Sequence, residues 1–124
     1  MVKTQKEQNL YNKMLVTQII NYRKLGYGNI KVNKENYSNG QPKKICGYIP
    51  DLSAEMDDET TLCEIVTGET IDETEMIERW KALSRCSDNF QMIILQKSFA
   101  RIKELAKSNG INVNKYWYSK ICNY

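Results

Sequence analysis

Apolar positions near the start of the chain recur with helical spacing. Tyr11, Leu15, Ile19 and Tyr22 follow a 4-4-3 pattern, and Leu10, Met14 and Ile20 widen the stripe. This predicts a first helix from about Thr4 to Leu25, ended by Gly26 and Gly28. The period then shortens to two. Asn29 to Asn33 alternates and predicts a short strand. Lys34 to Lys44 is polar, with an Asn39-Gly40 turn signal, and predicts a loop. Tyr48 to Glu55 and Thr60 to Thr67 predict two strands joined by an acidic turn at Asp57-Asp58-Glu59. In the second, Leu62, Glu64 and Val66 share one face and Cys63, Ile65 and Thr67 the other, a mostly apolar pattern expected of an interior strand.

Helical spacing returns with Met76, Ile77, Trp80 and Leu83, after a Thr70-Ile71-Asp72-Glu73 capping box. Phe90 to Leu95 predicts a buried strand. A third helix follows, with Ser98 as its cap, Phe99, Ile102, Leu105 and Ala106 on its apolar face, and Asn109-Gly110 at its end. Ile111 to Ser119, rich in Tyr and Trp, predicts a final edge strand. The succession is α-β-β-β-α-β-α-β: an α/β fold with a mixed central sheet flanked by helices. At 124 residues this is a single domain, 1–124.

Composition narrows the function classes. Apolar residues make up 41% of the chain, which is globular composition. No apolar run approaches the roughly 20 residues that span a bilayer, and the polar N-terminus leads into no signal-like block. The expectation is a soluble, cytoplasmic protein without a membrane partner. Histidine is absent, which removes Ser-His-Asp and Cys-His catalysis. Cys46, Cys63, Cys86 and Cys122 are widely spaced, so they read as reduced structural thiols rather than zinc ligands.

Net charge is only +3, but it is unevenly spread. Residues 51–80 hold eleven of the fifteen Asp and Glu and a single basic residue, Arg79; the rest of the chain carries seventeen Lys and Arg against four acids. Such a distribution can surround a cation-binding centre with a phosphate-attracting surface. It is equally what a solvated acidic turn beside ordinary charged helices gives.

The candidate chemistry lies in the predicted hairpin. Pro50-Asp51 precedes Glu64 by thirteen positions, a separation that lets neighbouring strands bring two carboxylates together. Carboxylates that close repel unless a proton or cation lies between them. Mg²⁺, which takes one or two protein carboxylates and fills its shell with water and phosphate oxygens, is the usual partner.

Pro50-Asp51, the turn and the acid at Glu64 resemble the PD-(D/E)XK nuclease superfamily, and the order of elements resembles its small single-domain members. The resemblance implies a restriction-endonuclease-like core and metal-dependent hydrolysis of nucleic-acid phosphodiester bonds. It also implies that Asp51, Glu64 and the carbonyl of Ile65 hold Mg²⁺ or Mn²⁺, with Glu55 or Glu69 as a further ligand. The family's supporting acid of the first helix would be Glu7, although a negative charge at a helix start is expected first of all to suit the helix dipole or the surface. The motif lysine, however, is replaced by Val66, which shares a face with Glu64. Either Lys81, on the following helix, supplies the missing catalytic cation, or the chain is an inactive nuclease-fold protein binding nucleic acid or a protein partner, of mobile-element or viral type. An unrelated α/β domain with a chance Pro-Asp is the third reading. Lys43 and Lys44 before the motif strand, and Arg101 and Lys103 on the third helix, are the candidate contacts to nucleic acid, DNA in the first instance. A domain this small would need a homodimer or a protein partner to enclose a duplex.

Overall fold

A computed structural model describes residues 4–68 and 73–119. The first helix, α1 (Gln5–Lys24), begins at a reciprocal cap that the hydrophobic pattern does not reveal. The Thr4 hydroxyl accepts from the Glu7 amide while the Glu7 carboxylate accepts from Thr4. Strand β1 (Gly28–Val32) follows, then β2 (Leu52–Met56) and β3 (Glu59–Val66). Helix α2 (Glu73–Arg85) crosses over to β4 (Asn89–Leu95), and α3 (Phe99–Ser108) crosses to β5 (Lys115–Ser119).

The five strands lie in sequence order, β1-β2-β3-β4-β5. The first three form an antiparallel meander, while β4 and β5 add parallel to β3. In the antiparallel half β2 and β3 are joined by a tight turn and β1 and β2 by the longer segment 33–51; in the parallel half each strand needs a helical crossover. The β2–β3 turn has both central residues, Asp57 and Asp58, at positive φ (51° and 64°), the twist that closes a two-residue hairpin.

Alternation along the strands divides the core in two. On one face Cys63, Ile65 and Ile93 meet Met14, Leu15, Ile19 and Tyr22 of α1. On the other, Leu62, Val66, Met92 and Ile94 meet Met76, Trp80 and Leu83 of α2 and Ile102 of α3. Strand β3 is therefore covered on both sides, as its apolar run predicts. The expected α/β architecture, a mixed sheet between helices, is the one observed.

Boundaries shift where backbone chemistry overrides the hydrophobic pattern. The motif strand begins at Leu52 rather than Tyr48, because Ile45 and Tyr48 close their own turn through two backbone hydrogen bonds. Ser98 makes no capping hydrogen bond; a short 3-10 turn, Gln96–Ser98, leads into α3 instead. The last strand starts at Lys115, after Asn114 has exchanged hydrogen bonds with Phe90. The capping box at Thr70 and the candidate ligand Glu69 lie outside the described residues.

The expectation of reduced thiols throughout is corrected. Cys46 and Cys86 form a disulfide with their Cα atoms 6.5 Å apart, whereas Cys63 is free and buried. The turn at Ile45–Tyr48 brings Cys46 to the end of α2, a proximity that sequence spacing does not encode. Cys122 lies outside the described residues.

Candidate functional site

Where β2 and β3 run out of paired backbone, side chains continue the ladder. The last paired residues are Leu52 and Cys63, so the next opposing positions are Asp51 and Glu64. The Asp51 amide donates to Glu64 Oε2 (3.0 Å), and the Ile65 amide donates to Asp51 Oδ2 (2.9 Å). Asp51 and Glu64 thus meet, and Ile65 joins them through its N–H.

Helix α2 supplies the cation, which is Arg79 rather than Lys81. Arg79 Nε donates to Glu64 Oε1, and Nη2 donates both to Glu64 Oε2 (3.0 Å) and to the carbonyl of Ile49 (2.6 Å). The same Nη2 lies 4.0 Å from Asp51 Oδ1. From α1, the Tyr11 hydroxyl donates to Asp51 Oδ1 (2.7 Å). The guanidinium carbon lies 5.8 Å from the centre of the Tyr48 ring, adding a cation–π contact. Lys81 is two residues further along the helix, about 200° around it, so its side chain diverges from that of Arg79.

All four carboxylate oxygens therefore accept hydrogen bonds from protein donors. A guanidinium fork matches a carboxylate geometrically and carries its charge at any physiological pH. Burial pushes the Glu64 carboxyl up, to about 7, and the neighbouring Asp51 charge adds to this; the hydrogen bonds and charge of Arg79 oppose it. Burial, followed by the Asp51 charge, also raises the Tyr11 hydroxyl, so at neutral pH it is a hydrogen-bond donor and not an anion.

This donor set does not suit a divalent ion. A metal on Glu64 would displace Arg79, and one on Asp51 would meet the hydrogens of Tyr11 and Ile65. Among the described residues, no group of three or more His, Cys, Asp or Glu side chains gathers as a metal set. Glu55 is four residues along β2 from Asp51, roughly 13 Å, and accepts from the Asn29 side chain. Glu7 caps α1. Val66 is buried beside Trp80 and Met92 in the second core cluster.

The basic candidates lie elsewhere. Lys43 and Lys44 are exposed, just ahead of the Ile45–Tyr48 turn. Arg101 pairs with Glu73 at 2.5 Å in an exposed ion pair, and Lys103 Nζ lies 5.2 Å from the centre of the Phe99 ring. Sequence reasoning did not single out Arg79 or Tyr11. For Arg79 the signal was present, since it is the lone cation of the acidic window 51–80. For Tyr11 it was masked, because the residue fits the apolar stripe of α1.

A second polar cluster lies on the α1 face of the sheet. The Gln91 Oε1 accepts from the hydroxyl of Tyr22 (2.6 Å) and the indole of Trp117 (2.7 Å), tying α1 and β5 to β4. It contains no ionised pair and serves packing.

No protein-family model matches this chain, and comparison with curated proteins and with solved structures found no match. Among the described residues, no helix is long and apolar enough to cross a membrane.

Proposed function

We propose that this domain is a catalytically silent protein of nuclease-like fold that binds nucleic acid through its basic surface. One observation carries the first half: Arg79 engages both oxygens of Glu64, in the place where an active nuclease of this type would need a divalent ion. A cation supplied by the chain neutralises the two carboxylates without offering a site to polarise a phosphate or activate water. Val66 in place of the motif lysine points the same way. The restriction-endonuclease-like reading of the core is supported by the strand order, the lone antiparallel β2, and helices on both faces. Fold by itself assigns no activity, so support for the binding reading over the cutting one is taken from the site.

The binding half is supported by charge. Outside residues 51–80 the chain carries seventeen cations against four acids, and Lys43, Lys44, Arg101 and Lys103 are all exposed. Such a surface gives affinity for a phosphate backbone that weakens steeply with salt.

The test is anisotropy of labelled single- and double-stranded DNA and RNA, run beside a cleavage assay with Mg²⁺ or Mn²⁺. Expected are saturable, salt-sensitive binding, weakened by Lys43→Ala/Lys44→Ala and by Lys103→Ala, and no cleavage. Metal-dependent cleavage lost in Asp51→Ala and Glu64→Ala would restore the catalytic reading. Failure to bind any of the four nucleic acids would remove the binding one.

A further inference from the structure

Helix α2 is fastened to the segment ahead of β2 at two points. One is polar: Arg79 Nη2 donates to the carbonyl of Ile49. The other is covalent, the Cys46–Cys86 disulfide. Arg79 and Cys86 are seven residues apart, two turns of helix, and so face the same side; the Cys86 amide still bonds to the Ala82 carbonyl, keeping that spacing helical. Cys46 and Gly47 occupy the tight turn between Ile45 and Tyr48 with positive φ (48° and 91°), and Asp51 follows four residues after Gly47. The segment so fastened carries Lys43 and Lys44 at one end and Asp51 at the other.

Both half-cystines are exposed. Beside them is an open cleft of about 310 Å³, lined by Ile45, Thr60, Leu62, Cys86, Ser87 and the opposite charges of Arg85 and Asp88. Exposed disulfides are the ones small thiols reach, whereas buried ones resist reduction.

The geometry points to a redox-sensitive clasp: the Cys46–Cys86 bond, opened by a low-molecular-weight thiol entering this cleft, sets how firmly residues 43–51 are held on α2. A thiolate attacks Cys86 Sγ, the Cys46–Cys86 bond breaks, and Cys46 leaves as a thiolate that takes a proton from water. A second thiolate attacks the mixed disulfide, freeing Cys86 and leaving the two small thiols joined as their own disulfide. Two electrons pass to the protein. Arg79 is then the remaining one of the two fastenings, and the segment opens locally more often. Nucleic-acid binding plays no part in this inference.

Hydrogen exchange by mass spectrometry on the full chain tests it, comparing oxidised protein, protein reduced with glutathione, and the Cys46→Ser/Cys86→Ser variant. Reduction should speed exchange across residues 45–51 about tenfold, leaving β3 and β4 unchanged. The double variant should match the reduced protein and ignore added thiol. Three results would overturn the clasp: unchanged exchange in 45–51 on reduction, an equal rise throughout β3 and β4, or peptide mapping that finds Cys46 and Cys86 unlinked in the oxidised protein.

Discussion

Truncating Arg79 would leave Glu64, whose side chain is 3% exposed, without its cation. Breaking a buried pair from one side costs about 3–5 kcal/mol, because the remaining charge keeps its desolvation penalty. Arg79 is itself 26% exposed, so water can enter in its place and the lower end applies. At pH 8, where Glu64 is ionised in the fold, Arg79→Ala is therefore expected to lose about 3 kcal/mol by urea denaturation, and Arg79→Ala/Glu64→Gln should recover part of it. A cost below about 1 kcal/mol would mean that the pair contributes no more than a surface ion pair does. The raised Glu64 carboxyl gives a pH dependence of definite sign. Between its ordinary value of 4.5 and about 7, the folded protein holds a proton that the unfolded chain has released. Stability from this group is complete below that window and declines as pH rises through it. Urea midpoints of the native protein and Glu64→Gln should diverge between pH 5 and about 7, the native protein losing ground; parallel curves would show that Glu64 keeps an ordinary pKa in the fold.

Elements were legible where a single period ran long enough to be read. Helix α1, the β2–β3 hairpin and β4 each kept their predicted type, with ends displaced by a few residues. The displacements have local causes: the backbone turn at Ile45–Tyr48, the hydrogen bonds of Asn114, and the 3-10 turn before α3. Asp51 and Glu64 were legible as a pair because a hairpin register follows from its turn. Arg79 was not, because a crossover helix can dock in several rotations, and only packing of Met76, Trp80 and Leu83 against the sheet settles which residue faces Glu64. The same applies to Cys86, whose partner is 40 residues away. Closing a loop of that length restricts the unfolded chain by about 4 kcal/mol on the chain-entropy account. The Cys46→Ser/Cys86→Ser variant is accordingly expected to lose a few kcal/mol in denaturation under non-reducing conditions and still fold, and an unchanged midpoint would show that the bond adds nothing to stability.

At the scale of the whole molecule, β3 is the seam of the sheet, antiparallel to β2 on one side and parallel to β4 on the other. Its two pairings are closed by very different lengths of chain. Two residues join β2 to β3, whereas 22 lie between Val66 and Asn89. Tight hairpins assemble within microseconds, and longer closures carry a larger entropic cost before any contact repays it. The β2–β3 hairpin should therefore be largely present at the folding transition state, with α2 arriving on it afterwards. Arg79 would then reach Glu64 on the native side of the barrier, and the salt bridge would act as a latch on escape rather than as a guide to assembly. In stopped-flow measurements Arg79→Ala should raise the unfolding rate roughly a hundredfold while leaving refolding almost untouched; an equal slowing of refolding would place the contact within the nucleus. Reaching from α2 to the seam strand, Arg79 prolongs the life of the folded state more than it hastens its formation.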